Sequence, residues 1–170
     1  MDGGAVADWE RAFRELLAAR GSALRSYAYV LTGDAAAASD LLQEALTRVF
    51  GRRRIGADIA QLEAYVRRAM LNHHVDGSRR LKRWNATRHL LVEPVRDDSD
   101  QVVVADQVRR ALSGLSPKQR ACITLRYYED LTVSEIAEQL NCAEGTVKRH
   151  LADARARLAD QLGMTEEGAR

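Results

Sequence analysis

The segment TVSEIAEQLNCAEGTVKRHLADARARL, Thr132 to Leu158, constrains this chain more than any other. Thr132 stands three residues before Glu135, the spacing of a capping box, in which a hydroxyl and a carboxylate each take up a backbone N–H at a helix start. Ile136, Ala137 and Leu140 then share one helical face, and Ala137 is small where two helices must approach closely. Asn141 falls where that helix must end, and Asn tolerates the left-handed backbone that a C-terminal cap needs. Val147, Leu151, Ala154 and Leu158 recur at helical spacing and form an inward stripe on a second helix. The pattern predicts a helix-turn-helix whose second helix is longer and more basic than its first. Thr146, Lys148, Arg149, His150 and Arg155 fall off the stripe. Arg can bond guanine bidentately, and Lys or Thr can hold phosphate, so these five are candidate DNA contacts. The competing interpretation is a helical hairpin with a solvated charged face.

The rest of the chain is also read as helix. Ala, Leu, Arg and Glu dominate, only 5% of residues are aromatic, and the 170 residues hold two prolines. That composition favours helices. A first helix is expected over Asp8 to Ala19, and a second from Gly21 or Ser22 to Leu31. Thr32-Gly33-Asp34 reads as a turn with Asp34 as N-cap. A third helix is expected from Ala35 to about Phe50, a loop over Gly51 to Ala60, and a fourth helix from Gln61 to about Trp84. Asn85 to Asp100 carries Glu93, Asp97, Asp98 and Asp100 against Arg88 and Arg96, with Pro94 inside, and lacks helical periodicity. It reads as an acidic linker. A second helical unit starts near Val102. Gly114 closes its first helix, and Ser116-Pro117 opens the next, with Ser as cap and Pro in the first turn. The expected fold is all-α: two small helical domains, residues 8–84 and 102–162, joined by a flexible acidic linker over 85–101.

Two further helices carry candidate surfaces. On the third, Ala38, Leu41, Leu42, Ala45 and Val49 make a continuous inward stripe, while Asp40, Gln43, Glu44, Thr47 and Arg48 project elsewhere. Such a face is either solvated surface or a protein-docking edge. On the fourth, Arg67, Arg68, Arg79, Arg80, Lys82 and Arg83 outnumber Glu63 and Asp76, with Tyr65, Asn72, His73, His74 and Trp84 interleaved. Basic residues grip phosphate, and Asn, His and aromatic rings bond or stack on exposed bases, which suits melted nucleic acid. The plainer reading is a charged amphipathic helix with Tyr65 and Val66 in the core.

Other classes find little support. Cys122 and Cys142 match no zinc spacing, and Cys122 sits among apolar helix positions as a small core residue. His73 and His74 are adjacent on a helix and diverge by about 100°, so they do not converge on one ion. No carboxylate pair, nucleophile–base set or phosphate loop is present, so neither an enzyme nor a resident cofactor or metal is expected. No apolar run approaches the roughly 20 residues of a membrane span, and no signal peptide is evident, so no membrane insertion and a cytoplasmic location are expected. The net charge of +2 shows that the basic character is local rather than spread over the chain.

Four segments resemble bacterial RNA polymerase sigma factors of the extracytoplasmic-function (ECF) group, in a style similar to actinobacterial members. They are YAYVLTGDAAAASDLLQEALTRVF, AYVRRAMLNHHVDGSRRLKRW, LSPKQRACITLRYYEDLTVSEIAEQL and CAEGTVKRHLADARARL. Their order and spacing, with the acidic linker between, extend the resemblance from about Asp8 to Leu162. The resemblance implies a protein that performs no chemistry, binds core RNA polymerase and directs promoter-specific initiation. By this resemblance, Asp40, Leu41, Gln43, Glu44 and Thr47 meet the clamp helices of the polymerase's largest subunit. Asn72, Asp76, Arg79 and Arg80, with Arg83 beyond them, lie at the minus-ten element. Lys148, Arg149 and Arg155, with Thr146 and His150 beside them, face the minus-thirty-five element. Many relatives are held by an anti-sigma factor, which is an implied partner besides polymerase and promoter DNA.

The chain departs from the family pattern at Ser39, where Glu is usual, at Asn141, where a small turn residue is common, and at His150, where smaller residues or Arg are frequent. The rival reading is a standalone helix-turn-helix regulator, which leaves the docking-like third helix and the basic fourth helix unexplained and predicts dimers on palindromic sites. A protein-interaction module without DNA function is a further rival.

Overall fold

The computed structural model describes the backbone of residues 3–51, 58–87 and 103–163, and the side chains of residues 8–51, 58–77 and 107–163. Among the described residues there are helices and turns and no strand. The chain divides into two compact units, Met1–His74 and Val75–Arg170.

In the first unit, α1 (Gly3–Thr32) packs against α2 (Ala35–Gly51), and α3 (Ile59–Thr87) starts in the same unit. The break expected near Gly21 does not occur. Gly21 is buried within one continuous α1, where a Cβ would meet Leu17 at 3.9 Å. Leu16, Leu24, Tyr27, Ala28 and Leu31 continue one buried face through it. A helical glycine costs about 1 kcal/mol relative to alanine. Burying that many side chains outweighs it, at roughly 1.5–3 kcal/mol for each large apolar one.

The turn expected at Thr32-Gly33-Asp34 is present. Gly33 adopts φ 72°, the left-handed region that glycine enters without strain. Its N–H donates to the Tyr29 carbonyl at 2.7 Å, and Asp34 Oδ1 accepts the Ala37 N–H at 2.7 Å. These bonds end α1 and cap α2. Trp9 and Phe13 from α1 meet Phe50 from α2, with the two phenylalanine rings edge to face at 5.1 Å. Ala38, Leu41, Leu42, Ala45 and Val49 form the buried face of α2.

Helix α3 begins earlier than the sequence suggested, because Asp58 Oδ1 accepts the Gln61 N–H at 2.8 Å and acts as an N-cap inside the supposed loop. Leu62, Val66, Met70 and Leu71 are its buried residues. The helix runs on to Thr87, into the segment expected as linker. Residues 88–102, which hold most of the expected acidic linker, and the tail from 164 lie outside the described residues.

The second unit holds α4 (Val103–Ser113), α5 (Pro117–Ile123), a π-helical turn (Thr124–Tyr128), α6 (Val133–Leu140) and α7 (Glu144–Gln161). Ser116 and Gln119 form a complete capping box at the start of α5, with Pro117 in the first turn. The inward residues are Ala111, Leu112, Leu115, Ala121, Cys122, Leu125, Ile136, Val147, Leu151 and Ala154. The π turn was not foreseen. It is closed by the Glu129 N–H to the Thr124 carbonyl at 3.3 Å and the Leu131 N–H to the Leu125 carbonyl at 3.0 Å. It leads to Asp130, which holds a left-handed φ of 55°. Arg126 Nη1 then donates to the Leu131 carbonyl at 2.8 Å, tying the turn to the start of α6.

Candidate nucleic-acid interface

Helix α6 and helix α7 are joined as the sequence predicts. The Thr132 hydroxyl accepts the Glu135 N–H at 3.3 Å, and Glu135 Oε2 accepts the Thr132 N–H at 2.8 Å. The hydroxyl also donates to Glu135 Oε2 at 2.7 Å, and these bonds hold the Glu135 carboxyl below the usual range. Asn141 takes the left-handed cap, φ 49° and ψ 58°, and the Cys142 N–H closes back on the Ala137 carbonyl at 3.0 Å. Ala143 starts α7 without a side-chain cap. The reversal is therefore made by one left-handed asparagine and two backbone bonds, the second from the Asn141 N–H to the Glu138 carbonyl at 3.2 Å, and it needs no glycine.

On α7, Val147, Leu151 and Ala154 are buried against the rest of the unit. Thr146, Lys148, Arg149 and Arg155 are exposed and His150 is half-buried. They do not share one line. At about 100° per residue, Lys148 and Arg155 lie on one flank, Thr146 and His150 on the other, and Arg149 between them. Arg149 is the most outward, with its side chain 83% exposed and only a long contact of 3.9 Å to Asp153. Lys148 has a similar long contact, 3.8 Å, to Glu144. Exposed pairs of this kind contribute little and release their head groups readily to a phosphate. Arg155 Nε donates to the Leu151 carbonyl at 3.3 Å, leaving other guanidinium donors to point outward.

Helix α3, which runs from the first unit past its boundary at His74, offers a second surface. Tyr65, Arg68, Asn72 and Asp76 are all exposed and recur at spacings of three and four, so they form one stripe along the helix. Tyr65 is 37% exposed, so only Val66 of the pair belongs to the core. The stripe brings Asn72 and Asp76 together with Tyr65 and Arg68, which belong to the basic, aromatic-bearing helix read from the sequence but not to the residues that the family resemblance assigns to the minus-ten element. His73 points from a different side and His74 is half-buried. Arg79, Arg80 and Arg83 occupy helical backbone positions of α3, but their side chains lie outside the described residues.

Behind the stripe, Glu63 anchors α3. Its carboxylate takes Arg67 at 2.5 Å and Arg20 of α1 at 3.2 Å, and the Arg67 guanidinium lies 5.5 Å from the Tyr27 ring centroid. These contacts link α3 to α1. On α2, Asp40, Gln43, Glu44 and Thr47 are exposed, whereas Leu41 is 5% exposed and belongs to the core. The outward edge of α2 is thus polar and acidic. Among the described residues no group of three His, Cys, Asp or Glu side chains could hold a metal ion, and no helix is long and apolar enough to cross a membrane.

Comparisons with known proteins identify the family. The family model for sigma-70 region 4 matches residues 105–158, which include α5, the π turn, α6 and most of α7. The RNA polymerase sigma-E factor of Streptomyces coelicolor is 35% identical over 159 residues, covering 93% of this chain and 90% of that protein. The ECF RNA polymerase sigma factor SigM of Mycobacterium tuberculosis is 36% identical over 134 residues, covering 77% of this chain and 67% of that protein. Among solved structures, the sigma factor RpoE of Bartonella quintana, in complex with the anti-sigma factor NepR, aligns with a TM-score of 0.63 at 26% identity, covering 89% of this chain and 96% of that chain. Similarity of this extent spans both helical units. The chain belongs to the ECF group of RNA polymerase sigma factors, in the branch typified by actinobacterial members.

Proposed function

We propose that this sigma factor divides promoter recognition between the exposed stripe of α3 and the outward side of α7, and meets core RNA polymerase with the polar edge of α2. The observation that carries the reading is the α6–α7 pair. Its reversal is fixed by Thr132, Glu135 and Asn141, and it leaves Arg149 standing outward on the second helix. A guanidinium so placed can bond a guanine edge bidentately in the major groove of the minus-thirty-five element, while Lys148, Arg155 and Thr146 take phosphates and His150 borders the contact.

On α3 a different chemistry is available. Asn72 offers an amide that reads a base edge, Asp76 accepts from a base amine, and Tyr65 offers a ring for stacking. Those groups suit unstacked bases of the minus-ten strand, and Arg79, Arg80 and Arg83 are assigned to its backbone. On α2, Asp40, Gln43, Glu44 and Thr47 suit a basic helical surface of the polymerase. Leu41 supports them from beneath. The chain itself catalyses nothing in this scheme, and it acts in the cytoplasm, where polymerase and promoter are. An anti-sigma factor as a partner is part of the proposal, supported by the RpoE–NepR complex named above.

The standalone-regulator reading is disfavoured, because the relatives match across both units rather than over the helix-turn-helix alone. The test is co-purification with core polymerase. Wild type is expected to assemble and Asp40→Arg to assemble poorly while retaining its melting temperature. Normal assembly of Asp40→Arg would remove the α2 assignment.

A further inference from the structure

Helix α7 carries a third arginine, Arg157, beside the two that are candidate DNA contacts. Its geometry points elsewhere. Arg157 Nη1 donates to the Gly114 carbonyl at 3.1 Å, reaching a residue 43 positions back in the chain. That carbonyl lies just past the end of α4, where helix carbonyls lack intrahelical partners and a positive charge is favourable. One helical turn further along α7, Gln161 closes over the same residue. A Cβ on Gly114 would lie 2.4 Å from Gln161 Nε2 and 3.1 Å from its Cδ. Two side chains four residues apart therefore meet at one residue: Arg157 bonds its carbonyl, and the Gln161 amide occupies the space that a Cβ would take.

We propose that Arg157 and Gln161, closed over Gly114, form a clamp that sets the angle at which α7 leaves the unit, and that Arg157 is a positioning residue rather than a DNA contact. The inference rests on the reading of α7 as the helix that enters the groove. Val147, Leu151 and Ala154 hold the first half of α7 against the core. Beyond Ala154 the buried stripe fades, since Leu158 is only half-buried. The clamp takes over where the apolar packing stops. A small swing at this end is transmitted along a rigid helix to Arg149 and Lys148 near the other end. The clamp thus controls how well those residues meet bases and phosphates without touching either.

The salt dependence of promoter binding separates a clamp from a contact. Binding of reconstituted holoenzyme to a promoter duplex is measured across a salt series for wild type, Arg157→Gln, Arg157→Lys, Gly114→Ala and Lys148→Ala. Loss of one phosphate contact lowers the slope of log affinity against log salt by about 0.9. Lys148→Ala is expected to show that loss. Arg157→Gln is expected to weaken binding about threefold to tenfold, the size of one hydrogen bond, with the slope unchanged. Gly114→Ala displaces Gln161 without altering any charge and is expected to weaken binding in the same way. Arg157→Lys keeps the charge but not the planar donor fork, so it is expected to resemble Arg157→Gln and also serves if the Gln variant is poorly folded. A slope reduced by about 0.9 in Arg157→Gln with wild-type behaviour in Arg157→Lys and Gly114→Ala would make Arg157 a phosphate contact and overturn the clamp. Unchanged affinity in all three clamp variants would also overturn it. If Lys148→Ala and the clamp variants all matched wild type, the assignment of α7 to the groove would fail first, and this inference with it.

Discussion

Arg120 donates from Nη1 to the backbone carbonyl of Leu112 at 3.0 Å, joining α5 to the last turn of α4. Arg157 does the same for Gly114, so two arginines from different helices satisfy carbonyls at the end of α4. Helix ends leave such carbonyls without partners, and burying them unpaired is costly.

Arg120 is the more deeply set of the two. Burial pushes its pKa below the ordinary arginine value, but a guanidinium remains charged at any physiological pH. Arg120→Ala is expected to destabilise the second unit by about 1–3 kcal/mol, the range for a charged hydrogen bond at a partly buried site. The denaturant midpoint should fall with little change in its slope. A midpoint equal to wild type would show that the bond to Leu112 contributes nothing.

At the start of α6, Thr132 favours the ionised form of Glu135. The side-chain hydrogen bond from Thr132, then its backbone N–H, hold the carboxyl below the ordinary 4.5. A depressed carboxyl stabilises the fold fully above its unfolded pKa and loses that contribution as pH falls through the folded value. The helix-turn-helix should therefore keep this contribution above about pH 5 and lose it progressively at more acid pH. Glu135→Gln should flatten the acid limb of a melting-temperature profile. An identical acid limb in the two proteins would contradict the capping role.

The two cysteines should behave differently. Cys122 is fully buried, and its thiol is pushed up to about 12, first by burial, then by Cys142, with partial relief from Lys118. Cys142 is partly exposed in the turn. A thiol reagent at pH 8 should label Cys142 in the folded protein and reach Cys122 only on unfolding, since the thiolate is the reactive form. Rapid labelling of both in native buffer would show that the core of the second unit opens readily.

On α2 adjacent residues should separate stability from assembly. Leu41→Ala removes a side chain that is 5% exposed and is expected to cost about 2–5 kcal/mol. Asp40→Arg lies on the exposed edge and is expected to leave stability within about 0.5 kcal/mol while impairing polymerase binding. Thermal melts paired with polymerase pull-downs distinguish them. Equal loss of stability in both would mean that the α2 edge is not a free surface.

These residues also show how far the chain was legible beforehand. Thr132, Glu135 and Asn141 carry their roles in residue type and spacing, because capping and left-handed geometry are local. The inward stripes of α2 and α7 were readable for the same reason. Gly21 misled because a local penalty was outweighed by the tertiary burial of the face around it, which no short window contains. Asp58 was overlooked as a cap within a charged, glycine-flanked stretch. The π turn before Asp130 has no sequence signature and follows from how α5 must hand over to α6. Leu41 is assigned to polymerase docking by family resemblance although its own periodicity places it inward, and in the structure it is 5% exposed. Arg157 escaped notice because only the folded chain brings Gly114 beneath it.

The most direct test is transcription in vitro by purified bacterial core polymerase on a pooled promoter library, comparing wild type with Asn72→Ala and Arg149→Ala. Wild type should direct initiation at promoters sharing two separated motifs. Arg149→Ala should weaken recognition of the upstream motif by about 1–3 kcal/mol and relax its sequence preference, while Asn72→Ala should do so at the downstream motif. Chain-dependent transcripts whose motifs are indifferent to both substitutions would contradict the division of promoter reading between α3 and α7.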